Sequence, residues 1–137
     1  GEELNSVLEQ TPRLAQAIAD GMNVPVGKLR KLAEEGKLTS EAVLRAAVNR
    51  DNDNPFAWYQ LGIVYAHNGD EPRAALATAE RYVLTGQAGL ALASAETAMA
   101  GLPDGTPDWL RAQDIALVAR ARLEEERRHR RQNPQQG

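Results

Sequence analysis

The chain has 137 residues, 42% of them apolar and 26% charged, with a formal charge of −3 and a pI near 5.4. That length allows one ordinary domain, or two small units sharing a seam, with a real buried core. The acidic balance argues against a general nucleic-acid surface, the lack of cysteine excludes disulfides and thiolate metal sites, and no apolar run approaches the length of a membrane span.

In chain order, residues 2–10 are predicted as a short helix with Leu4, Val7 and Leu8 on one side. Thr11-Pro12 then reads as an N-cap followed by proline in the first turn, opening a helix that carries Leu14, Ile18 and Met22 inward and ends near Gly21. Residues 25–35 read as a short helix with Leu29 and Leu32 inward and Gly36 as its stop. Thr39 or Ser40 caps a helix to about Arg50, with Val43, Leu44, Ala47 and Val48 apolar. Asn54-Pro55 repeats the cap-then-proline signal for a helix to about His67, ended by Asn68-Gly69. Asp70 caps a helix to about Thr85, closed by Gly86, and residues 87–101 form another. Thr106-Pro107-Asp108 opens the last helix, which extends to about Arg131, roughly 37 Å at 1.5 Å per residue. Its far end, EEERRHRR, is polar all round and is expected to fray, while Gly1 and the tail QNPQQG read as ends outside the fold.

Aromatic residues make up only 4% of the chain and alanine is abundant, so helix axes are expected to approach closely in place of bulky side-chain packing. No segment alternates β-branched residues with period two. Gly69 and Gly86 are 17 residues apart, and Trp58 and Trp109 are 51 apart, three such units. A helix plus turn of 17 residues is half of a 34-residue helix–turn–helix repeat, so successive helices should stack antiparallel into a short right-handed solenoid.

The segment from about Val48 to Arg122 resembles the tetratricopeptide repeat. Trp58, Leu61, Gly62, Tyr65 and Ala74 match its first unit, and Tyr82, Ala91, Ala98 and Pro103 fall at matching offsets from Gly86. Thr78 departs from the pattern, where a large side chain is usual, and so does Arg81, where a small one is usual. Residues 54–87 and GLPDGTPDWLRAQDI are similar to the C-terminal repeat tail of bacterial envelope zinc metalloproteases. That family's catalytic domain carries H-E-x-x-H, a motif this chain lacks, so the resemblance implies a helical accessory domain and transfers no catalytic residue. The segment from about Thr11 to Ala46, above all VPVGKLRKLAEEGKLTSE, is similar to a small helical module of tape measure proteins of tailed phages, which implies a compact unit within a structural protein. The two resemblances meet inside the helix at 39–50, without a linker. That change suggests an engineered composite joined through a shared helix: residues 1–50 as an N-terminal unit, 39–131 as a tetratricopeptide-like array, and 132–137 as a disordered tail.

No chemistry-bearing constellation stands out. His67 lies at a helix end and His129 in a charged tail, neither with a ligand partner at metal spacing or a serine–acid arrangement around it. GQAG and GLPDG follow helices, whereas phosphate-cradling loops follow strands. Residues 25–46 have the outline of a helix-turn-helix, with Lys28, Arg30, Lys31 and Lys37 as phosphate contacts, but Glu34, Glu35 and Glu41 interleave with those bases. Trp58, Tyr65, Tyr82 and Trp109 are expected to fill the wedges between helices, with Leu61, Gly62, Ala74, Ala91 and Ala98 as the repeat core. Exposed polar residues of a first helix, such as Gln60 and His67, are candidates to line a concave groove.

The expectation is therefore an all-α protein: antiparallel helical hairpins stacked as a tetratricopeptide-like solenoid with a small N-terminal helical unit. It is expected to be a soluble, non-enzymatic scaffold without evolved activity, holding no metal or cofactor and contacting neither nucleic acid nor membrane. The alternative is a protein–protein interaction module that takes a peptide or protein in its groove, with helix-turn-helix DNA binding through residues 25–46 ranked below it, and a last helix with an exposed edge makes self-association an expected property.

Overall fold

The computed structural model describes residues 11–36 and 39–132. The helix expected at 2–10, Lys37, Leu38 and the tail 133–137 lie outside the described residues. Within them the chain is all-helical: α1 (Pro12–Met22), α2 (Val26–Glu34), α3 (Ser40–Arg50), α4 (Pro55–His67), α5 (Glu71–Leu84), α6 (Ala88–Gly101) and α7 (Pro107–Gln132).

The helix starts follow side-chain chemistry. Thr39 accepts from the Ala42 amide at 3.2 Å, Asn54 from the Phe56 amide at 3.1 Å and Asp70 from the Arg73 amide at 3.2 Å, each satisfying a backbone donor that the first turn leaves open. Thr11 makes no such bond, and α1 begins on Pro12 alone. Two stops share one geometry. Gly69 (φ +80°) and Gly86 (φ +74°) sit in the left-handed region, and the next residue donates back across the turn: Asp70 to the Tyr65 carbonyl at 2.9 Å and Gln87 to the Tyr82 carbonyl at 2.9 Å. The same turn therefore recurs 17 residues on.

Helix α1 ends at Met22, with Gly21 near its end as expected. Asn23 takes the left-handed position (φ 58°) while Val24 donates to Ala19 at 3.0 Å. Gly21 also serves a close approach. A Cβ there would lie 2.9 Å from the Ala46 carbonyl oxygen, so its absence lets α1 press against the backbone of α3. At the other end of the chain, α7 stays helical through the polar stretch expected to fray, reaching Gln132.

Helix α1 packs on α2 and α3, α3 packs on α4, and each helix from α4 to α7 packs on the next, with α5 also touching α7. Two buried clusters result. The first gathers Leu14 and Ile18 of α1, Leu29 of α2, Val43 and Ala47 of α3, Leu61 and Tyr65 of α4, and Ala74 and Ala77 of α5. In the second, buried alanines of α5, α6 and α7 are joined by Leu76, Leu102 and Ile115, with the half-buried Tyr82, Val83, Leu92, Met99 and Trp109 packed against them. Helix α5 thus supplies both clusters from opposite sides, while the buried residues of α3 all belong to the first. Small residues at these contacts bring helix axes together and replace bulk with many short-range dispersion contacts.

The two departures from the repeat pattern have local explanations. Thr78 stands at ordinary contact distance from Gly62, and its hydroxyl donates to the Ala74 carbonyl at 2.8 Å. Arg81 lies over the rings of Tyr59 and Tyr82, with its guanidinium carbon 4.9 and 4.8 Å from their centroids, an arrangement that favours a cation at the protein surface.

Candidate functional site

Side chains from four helices converge on a groove of about 200 Å³. Helix α3 contributes Arg45, Val48 and Asn49, and α4 contributes Trp58, Leu61 and Tyr65. Helix α5 supplies Arg73, Leu76, Ala77 and Glu80, and the start of α7 supplies Asp108 and Arg111. The floor is apolar and aromatic, and the walls carry charge.

Caps and ion pairs hold those walls in place. The guanidinium of Arg73 donates to Asp108 at 3.0 Å and to Asp70 at 3.1 Å, so the residue that caps α5 also orients a side chain of the groove. These bonds, that to Asp108 foremost, raise the pKa of Arg73. Arg111 grips Glu80 with two parallel bonds of 2.9 and 2.6 Å, a charge-assisted geometry that ties α7 to α5 and raises the pKa of Arg111. Arg45 meets Glu41 one turn earlier on α3 at 3.6 Å, which leaves its guanidinium loosely held at the groove's edge. Tyr65 is buried, and burial pushes its phenol pKa up, so it stays protonated as a polar point in the floor. The Trp58 indole donates to the Asn52 carbonyl at 2.8 Å, which locks the ring against the turn between α3 and α4.

The residues picked out from the sequence divide. Leu61, Gly62, Tyr65, Ala74, Ala91 and Ala98 are buried. Trp58, Tyr82 and Trp109 are half-buried and pack against the two clusters. Trp58, Leu61 and Tyr65 line the groove, whereas Gln60 and His67 do not. Gln60 is half-buried on another side of α4, and His67 is exposed over a separate depression beside Thr39, Glu41 and Ile63. His129 is exposed on α7, and among the described residues no three His, Asp or Glu side chains stand together as a metal site. Sequence reasoning missed the groove's polar residues, Arg45, Asn49, Arg73, Glu80, Asp108 and Arg111. Their common signal is a charged or amide side chain on α3, α5 or α7 next to inward apolar positions, which only the packing of alternate helices brings onto one face.

A second polar tie joins the first helix to the rest. Arg13 donates to Asp51 with two bonds of 2.9 Å and to Asp53 at 2.7 Å, fastening α1 to the turn before α4. The Asp51 carboxyl is held below its ordinary value by the hydrogen bond with the Asp53 side chain and then by that with Arg13.

A family model described as tape measure protein matches residues 1–57. The match covers α1, α2, the whole of α3, the turn that Arg13 grips and the first residues of α4. It therefore extends past the helix at 39–50 in which the two sequence resemblances meet. No curated protein and no solved structure matches the chain.

Proposed function

We propose that this chain is a non-enzymatic helical scaffold whose working surface is the groove between α3, α4, α5 and α7, where it holds an extended segment of another protein. The observation that carries this reading is the groove itself. It has an apolar, aromatic floor, and the charged groups of Arg73, Asp108, Arg111 and Glu80 are fixed by ion pairs made before any ligand arrives. Preset groups of this kind lower the ordering cost of binding. Mixed charge along the rim suits a peptide with both hydrogen-bonding backbone and apolar side chains. The tetratricopeptide-like spacing from Trp58 to Ala98 and the turn repeated at Gly69 and Gly86 support an array of hairpins with a concave binding side. The match of residues 1–57 to tape measure proteins supports a structural rather than a catalytic role for the first part of the chain.

The test is selection from a random peptide library followed by binding measurements on Arg45→Glu. Arg45 is exposed, so the substitution spares the core. Selected peptides should bind the parent chain and lose about tenfold or more in affinity on Arg45→Glu, as expected when a charge facing the ligand is reversed. Failure to select any peptide, or selected peptides indifferent to this substitution, would contradict the reading.

A further inference from the structure

We propose, on the premise that the groove holds a peptide, that the bound segment presents an acidic side chain whose carboxylate is received by the Arg45 guanidinium, the Asn49 amide and the Tyr65 hydroxyl.

The groove's own acids are engaged. Glu80 gives both carboxylate oxygens to Arg111, at 2.9 and 2.6 Å, and Arg73 holds Asp108 at 3.0 Å and Asp70 at 3.1 Å. Arg45 differs from those two arginines. Among the described residues its one ion pair is with Glu41 at 3.6 Å, too long for a hydrogen bond, and its side chain is 52% exposed. A guanidinium carries five N–H donors and no acceptor, so this wall offers donors that nothing in the chain takes up. Asn49 stands four residues on, one turn along the same face of α3, and also lines the groove.

Tyr65 supplies the independent observation. Its side chain is only 6% exposed and lines the groove floor. Among the described residues neither its hydroxyl nor the Asn49 amide has a hydrogen-bond partner. No side-chain nitrogen or oxygen sealed from solvent among them lacks a partner, so the phenol oxygen is open, and it opens into the groove. Burial is the largest influence on this phenol and raises its pKa, and the charge of Arg45 comes next and lowers it. The guanidinium therefore acts on the same spot, and the phenol keeps its proton as a donor.

Donors left open on one side of a groove call for a group that only accepts. An ionised carboxylate does so through two oxygens, and its bonds to a guanidinium are of the strong, charge-assisted kind. A lysine side chain would set donors against donors. The size fits as well. About 200 Å³ is less than the roughly 300–1,000 Å³ of sites that enclose a whole small ligand, so the groove suits one inserted side chain with the peptide backbone along the rim. Val48, Leu61 and Leu76 beside the donors take the apolar stem of that side chain or an apolar neighbour.

The test starts from peptides selected on the parent chain and resynthesised with acetylated and amidated ends, so that side chains are their only carboxylates. Replacing each acid in turn by its amide should reveal one position that costs about tenfold or more in affinity by calorimetry. The same replacement should have no effect on binding to Arg45→Gln, because both changes remove one contact. Arg45→Lys should keep part of the affinity, since an ammonium retains the charge but not the planar fork. Tyr65→Phe should weaken binding several-fold and leave thermal unfolding unchanged, since the hydroxyl has no partner within the described chain. Peptides that weaken with Arg45→Glu yet carry no acid coupled to Arg45 would overturn the carboxylate and leave the peptide groove standing. Peptides that bind only with a free C-terminus would overturn the side-chain carboxylate in favour of a terminal one. Selection of no peptide at all would overturn both the carboxylate and the groove.

Discussion

Replacing Arg111 by Met measures how firmly α7 is fastened to α5. The substitution keeps an unbranched stem and removes the guanidinium that holds Glu80 in two bonds. Glu80 then remains as a carboxylate only 11% exposed, with its cation gone, whereas Arg111 itself is 51% exposed. Breaking a fully buried pair in this way costs about 3–5 kcal/mol, and an exposed pair contributes about 0–1 kcal/mol. The open groove lets water reach one side of this pair, so the expected loss is about 1–2 kcal/mol, discounted for that screening. For a chain of this length that corresponds to a fall in melting temperature on the order of 5 °C. Urea unfolding of Arg111→Met, Glu80→Gln and the double variant gives the coupling directly. Removing the charge of Glu80 as well should recover most of the loss, because the double variant no longer buries an unpaired carboxylate. If Arg111→Met matches the parent within about 0.3 kcal/mol and the cycle shows no coupling, the reasoning from burial and geometry is wrong.

Two further outcomes follow from local geometry. Gly21→Ala gains up to about 1 kcal/mol of helix propensity but must push α1 off the Ala46 carbonyl, an overpacking cost of about 1–3 kcal/mol, so thermal unfolding should show net destabilisation. Gly89→Ala meets no atom within 4 Å and should be neutral to stabilising in the same assay. Stability should also fall in acid through Asp51. Its folded pKa lies below the ordinary 3.8, so its contribution is fully present above that value and is lost as pH drops through the lower folded value. Denaturant titrations at a series of pH values should show this slope, and Asp51→Asn should flatten it.

The boundaries of the helices were legible because they are written in local chemistry. Thr39, Asn54 and Asp70 cap through their own side chains, and Gly36, Gly69 and Gly86 occupy the left-handed positions that end helices. Gly21 lies near the end of α1 as its sequence suggests, but its close approach to the Ala46 carbonyl was not legible, because it depends on how α1 and α3 pack. The groove was not legible. Arg73 finds Asp108 from 35 residues away and Arg111 finds Glu80 from 31, so those pairs depend on how α5 and α7 come to lie side by side. Gln60 and His67 were chosen as polar residues of the right helix, but α4 turns Trp58, Leu61 and Tyr65 toward the groove, and those two positions face elsewhere. The rings were expected purely as wedges. Trp58 and Tyr65 do pack against the first cluster, yet both also form part of the groove surface.

The most direct test of a peptide-holding groove is a nuclear magnetic resonance titration of the isotope-labelled chain with a library-selected peptide. The account requires the largest shifts at the Trp58 indole N–H, Arg45, Asn49, Arg73 and Arg111, with α6 and the outward face of α7 unmoved. Shifts gathered instead on the α6–α7 face, or around His67, would contradict it.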